Sequence, residues 1–224
     1  MKKLQKIDEI ALPDHSYLEC EDECYFILSY TSHKSFGYSI DNSTIINLKK
    51  SVLKKGTLEY KYKEKAIITC AGYLNCINIS ELFSNDVTFI PVPPSKSKDD
   101  LEYDDRLLLI LNNAFKGNID IKEVIIQNNS TEAVHLCGNR LTKEEIKSNY
   151  IVDEELLSQT KETIIVFDDV VTTGAHYKAI KELILERFPQ KRVIGLFIAR
   201  RVFDEKENSI FDFNLMFNPV KPEA

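Results

Sequence analysis

The stretch Ile164-Ile165-Val166-Phe167-Asp168-Asp169-Val170-Val171-Thr172-Thr173-Gly174-Ala175 decides how the whole chain is read. Its four leading apolar residues, β-branched or aromatic, predict a buried strand. That strand ends in two adjacent carboxylates. In an open parallel sheet, ligands collect beyond the carboxyl ends of the strands, and two acids placed there are costly to bury without partners. Sugar hydroxyls are suitable partners, because each can donate to a carboxylate oxygen. Thr172, Thr173 and Gly174 then bring two hydroxyls and a residue that permits close backbone approach. Ala175 and His176 open a predicted helix whose first N–H groups have no intrahelical acceptor, which makes a phosphate cradle. The spacing suits one ribose 5-phosphate, with the acids at the diol and the turn at the phosphate. No Gly-x-x-x-x-Gly-Lys-Ser/Thr loop occurs, so the acids are not half of a P-loop ATPase site.

Outward from this stretch, a helix is predicted over 176–188 and a strand over 192–199. Upstream, residues 87–92 read as a short buried strand running into Pro93, Pro94, Ser95, Lys96, Ser97 and Lys98. A helix over 103–115 follows, with Leu107, Leu108, Ile110, Leu111, Ala114 and Phe115 as its apolar face. Gly117-Asn118 breaks it, and residues 122–127 form the next strand. Strand and helix alternate with parallel-type apolar strands, which predicts an α/β fold: a doubly wound, mainly parallel sheet. Before residue 86 the pattern differs. A strand over 25–30 precedes a helix capped at Asn42-Ser43, running through Leu53 and ended by Gly56. A longer helix over 59–76 and a short one around Glu81, Leu82 and Phe83 complete this part. The expected division is an N-terminal α+β hood or partner segment at 1–85 and a core at 86–224.

Composition sets the outer bounds. The 224 residues are 43% apolar, with ten Tyr and twelve Phe, enough for one sizeable α/β core. A net charge of -6 and a pI near 5.4 argue against nucleic acid as a charge-driven ligand. The N-terminal Lys2-Lys3 is followed by no apolar stretch of the kind a secretory signal needs, and no run is long enough for a membrane span, so the expected location is the cytoplasm. The five Cys at 20, 24, 70, 76 and 137 match no zinc-ribbon spacing and read as reduced thiols, although Glu21, Asp22 and Glu23 between the first two could invite a metal.

The run from Ile164 to Ala175 resembles the phosphoribosyl-pyrophosphate (PRPP) signature of type I phosphoribosyltransferases: four apolar residues, two acids, two apolar residues, Thr-Thr-Gly. Residues 89–94, then Arg106, Ser130-Thr131 and Arg140 in that order, and the ending Phe197-Ile198-Ala199-Arg200, are similar to the ComF-like, competence-associated branch of that family. The zinc-binding Cys cluster of that branch is missing. The resemblance implies a type I phosphoribosyltransferase-like core that holds the ribose 5-phosphate with Asp168, Asp169, Val171, Thr172, Thr173, Gly174, Ala175 and His176, the two acids being the catalytic pair. It also implies a pyrophosphate loop at 93–98 using Ser95 and Lys96, and a mobile loop at about 128–149 holding His135, Arg140, Lys143 and Lys147, with Arg140 on the pyrophosphate. Where the family carries Thr or Ser two residues after the glycine, this chain has His176, either a phosphate donor or a solvent-facing residue of the helix start. Asp104, Asp105 and Arg106 either help hold magnesium-pyrophosphate or pair among themselves at a helix start. Arg200-Arg201 either touch substrate or pair at the surface.

By the same resemblance, the reaction is displacement of pyrophosphate from PRPP by an unidentified nitrogen acceptor, with Mg2+ carried on the diphosphate. Two alternatives stand beside it: a non-catalytic PRPP- or nucleotide-sensing regulator, and an effector subunit of a competence- or defence-related assembly. A homo-oligomer or a protein partner is left open, and no membrane partner is expected.

Overall fold

A computed structural model describes residues 2–77, 86–129 and 141–204. Its elements follow the chain as β1 (Gln5–Lys6), β2 (Cys24–Thr31), α1 (Ile40–Leu48), α2 (Tyr60–Asn75), β3 (Val87–Pro91), α3 (Arg106–Phe115), β4 (Asp120–Ile121), β5 (Ile125–Gln127), α4 (Lys143–Ser148), β6 (Tyr150–Val152), α5 (Glu154–Ser158), β7 (Thr163–Val171), α6 (Ala175–Leu185) and β8 (Arg192–Val202). Six strands form one sheet in the order β1-β2-β8-β7-β3-β4. All neighbours in it are parallel except the β1–β2 pair. β5 and β6 make a separate antiparallel ribbon.

Ile164, Ile165, Val166 and Phe167 are all wholly buried, so both faces of β7 are covered and the run shows no polar alternation. α2 packs on α1 and α3, and α4 packs on α6. This mixed α/β arrangement, with a mostly parallel six-stranded sheet, is compatible with a doubly wound fold.

Strand order locates the crevice. From β3 the chain crosses to β4 on one side, yet the later strand β7 pairs with β3 on the other, with Pro91 opposite Phe167. Order therefore reverses between β3 and β7. Connections leaving their carboxyl ends diverge and expose a cleft there.

Several expectations are corrected. The segment 1–85 is not a layer outside the core sheet: β2 lies inside it, pairing in parallel with β8, with Leu28 opposite Ala199. α1 begins earlier than expected, because Ser39 is the cap and accepts the Asn42 N–H at 3.0 Å. It also stops at Leu48, since the buried Lys63 ammonium from α2 bonds the carbonyls of Leu48 and Lys50, both at 2.8 Å. The strand expected over 122–127 is two pieces: Lys122 donates its N–H to the Phe89 carbonyl, and the chain then leaves the sheet to pair as β5 with β6. α3 starts at Arg106, whose N–H is taken by the Asp104 side chain at 3.2 Å. β7 and β8 run further than expected, to Val171 and Val202. Within the span 128–149, where a mobile loop is expected, residues 143–148 form α4, with a Thr142–Glu145 capping box. The helix expected around Glu81, and Ser130, Thr131, His135, Cys137 and Arg140, lie outside the described residues.

Candidate functional site

A cavity of about 250 Å³ occupies the cleft between β3 and β7. Its walls are the loop 93–98 beyond β3, the start of α3 at 104–108, β5, and the end of β7 with Asp168, Asp169, Thr172 and His176. Ligand cavities commonly run from about 300 Å³ upward, so this one suits a small molecule. Topology alone brings these segments together.

The two acids differ. Asp169 is almost wholly buried and its carboxylate is engaged: Oδ2 accepts Arg106 Nε at 2.9 Å and Nη2 at 2.7 Å, and Oδ1 lies 3.2 Å from Lys49 Nζ. Burial would raise its pKa, but the two cations reverse this and hold it below the usual carboxylate range. Asp168 is partly exposed on the cavity wall, and among the described residues the one hydrogen bond to its carboxylate is from the Asp169 N–H to Oδ1 at 2.7 Å. Burial first, and then the Asp169 charge, push its pKa up to about 7. Asp168 is thus the acid with capacity to accept from a ligand.

Beneath the acids runs a charge network. Asp104 Oδ2 accepts both Lys63 Nζ at 2.6 Å and Arg106 Nη1 at 2.7 Å. Lys63 is 1% exposed, and its burial is tolerable because three oxygens surround the ammonium. Lys49, Lys63 and Tyr150 were not foreseen as part of the site.

The turn after β7 is held from below by the N-terminal segment. Tyr17 N–H donates to the Thr173 carbonyl at 2.9 Å, and His15 Nδ1 donates to the Thr172 carbonyl at 2.6 Å. His15 is fully buried, which lowers its pKa. Gly174 has φ +85, and a Cβ there would lie 2.6 Å from Leu18 Cδ2. The position therefore needs glycine twice over, for its backbone angle and for the close approach. Among the described residues, no protein group accepts the N–H groups of Thr173, Gly174, Ala175 or His176, or bonds the Thr172 and Thr173 hydroxyls. His176, the second residue of α6, has Nδ1 2.6 Å from the Tyr150 hydroxyl. Val171 is buried in the sheet and contributes packing.

Ser95 and Lys96 line the same cavity as Asp168, with Lys96 Nζ 3.7 Å from Glu102. Lys98 pairs with Glu123 at 3.1 Å. Lys143 and Lys147 bond Glu182 on α6 and do not line the cavity. Asp22 bonds Lys178 and Lys181, and Glu23 bonds Arg192, so these two acids tie the N-terminal segment to α6 and β8, while Glu21 is exposed. Arg200 pairs with Asp14 at 3.1 Å, and Arg201 donates to the Asp14 carbonyl at 3.2 Å. Among the described residues no group of three or more His, Cys, Asp or Glu is placed to hold a metal, and no helix is long and apolar enough to cross a membrane.

The chain matches no protein-family model and no curated protein.

Proposed function

We propose that this chain binds the ribose 5-phosphate group of PRPP or of a nucleotide, in a type I phosphoribosyltransferase-like core. The observation that carries this reading is one juxtaposition. A carboxylate with an open acceptor oxygen, Asp168, shares a cavity with Thr172 and His176, which bracket a turn whose N–H groups at 173–176 and hydroxyls at 172 and 173 lack partners among the described residues. Unpaired amides at a helix start favour an anion, and an open carboxylate favours a diol.

In the proposed reaction, a nitrogen acceptor displaces pyrophosphate at the anomeric carbon. The C–O bond to pyrophosphate breaks as the new C–N bond forms, and the acceptor's proton leaves to solvent or base. Asp168 would orient the sugar and favour the positive charge that develops on the ribosyl ring. Ser95, Lys96 and the loop amides would face the departing diphosphate. Asp105 and Asp168 are cavity-lining carboxylates without an ion-pair partner among the described residues, and they would be the protein groups nearest an Mg2+ that arrives on the diphosphate. When bound, it would neutralise leaving-group charge.

One feature favours binding without turnover. Asp169 is saturated by Arg106 and Lys49, leaving a single acid for the sugar. Incubation with PRPP, Mg2+ and a panel of nitrogenous bases, followed by a pyrophosphate assay, tests transfer. Calorimetric binding of PRPP without pyrophosphate release would instead support a sensor. Absence of binding by PRPP, ribose 5-phosphate and nucleotides alike would overturn both.

A further inference from the structure

The Tyr150–His176 pair carries an inference about how the phosphate is recognised. It rests on the ribose-phosphate reading above. Tyr150, the first residue of β6, is buried, and its hydroxyl lies 2.6 Å from His176 Nδ1 with the two rings tilted at 38°. No other hydrogen bond of the Tyr150 hydroxyl is present among the described residues. A buried hydroxyl with one partner must spend its hydrogen on that partner or leave it unsatisfied, at a cost of about 1–3 kcal/mol. The hydrogen therefore lies on the line to Nδ1, which accepts. An imidazole that accepts at Nδ1 carries its own hydrogen at Nε2. Nε2 has no partner among the described residues, and His176 lines the cavity.

We infer that His176 is a neutral N–H donor to the ligand's phosphate monoester through Nε2, and that Tyr150 is the positioning residue that fixes this tautomer. A ring stands where a hydroxyl would otherwise serve, and it reaches further from the backbone.

The groups acting on the pair are consistent with a neutral ring. His176 is exposed to solvent, yet the protein packed around its ring lowers its pKa; Asp169 on β7 acts the other way and Lys49 beyond α1 adds to the lowering. Tyr150 keeps its proton because burial, and then the Asp168 charge, raise its pKa.

The test uses the full chain with 15N-labelled histidine. His176 is assigned by difference with His176→Ala, and its ring nitrogens are read by NMR without ligand. The expected spectrum is that of the Nε2–H tautomer, and Tyr150→Phe, which keeps the ring volume, should yield a tautomer mixture. Calorimetry with ribose 5-phosphate supplies the second readout. His176→Ala should weaken binding roughly tenfold, as for a lost hydrogen bond to a charged group, and Tyr150→Phe should weaken it by a smaller factor. A wild-type Nδ1–H tautomer, or unchanged affinity in His176→Ala, overturns this inference while leaving the ribose-phosphate reading in place. Failure of the wild-type chain to bind ribose 5-phosphate overturns both, whatever the tautomer.

Discussion

At the scale of single residues, Asp168 is held in a setting that disfavours its own charge. Burial and the neighbouring Asp169 raise its pKa to about 7, against about 3.9 for an unperturbed aspartate. Between those values the folded chain binds a proton that the unfolded chain has released. Stability from this group is therefore lost as pH rises from about 4 through about 7. Asp168→Asn should melt a few degrees above the wild-type chain at pH 8, with the gap closing as pH falls toward 4. The same substitution should weaken ribose 5-phosphate binding by at least tenfold. Scanning calorimetry across pH, paired with titration calorimetry, reads both effects; a lower melting temperature at pH 8 would contradict the assignment of strain to this carboxylate. Arg106 behaves oppositely. Its removal leaves the buried Asp169 with Lys49 alone. Arg106→Leu should cost about 3 kcal/mol, the lower end for a broken buried pair, and lower the melting temperature by about 6–12 °C.

At the scale of elements, the turn between β7 and α6 depends on Gly174. Gly174→Ala adds the left-handed penalty of about 1–2 kcal/mol and a collision with Leu18. Denaturant unfolding should register a loss of about 2 kcal/mol. The double variant Gly174→Ala/Leu18→Ala should not regain ribose-phosphate binding, because relieving the collision leaves the backbone angle wrong. Much of this element was legible: the apolar run, the acids and Thr-Thr-Gly lie together in sequence and required no tertiary knowledge. What supports the turn was not. His15, Tyr17 and Leu18 reach Thr172, Thr173 and Gly174 from about 155 residues away, and nothing local marks them. Lys63 did leave a trace. It falls in the buried stripe of α2 with Tyr60, Ile67, Cys70 and Leu74, an ammonium on an apolar face. Lys49, at the end of α1, left none.

For the whole molecule, the sequence division at residue 85 separated pieces that fold as one sheet. Residues 25–30 were readable as a strand, but the partner of a parallel strand is fixed by topology and not by its own pattern, so its place beside β8 could not be read locally. Cys24, Phe26, Ile27 and Leu28 contribute to the same core as Phe197 and Ile198. A chain beginning at residue 86 would expose the edge of β8 and remove the floor of the turn between β7 and α6. It should lack a cooperative thermal transition by calorimetry, whereas an independently folding 86–224 fragment would restore the two-part division.

Asp104 Oδ2 is shared by Lys63 and Arg106, and Arg106 goes on to Asp169. Four side chains from three parts of the chain are thereby bound to a common fate. In descendants of this protein, exchange of any one for a neutral residue would be tolerated only with compensating change in the others, so these positions should drift as a block or stay put together.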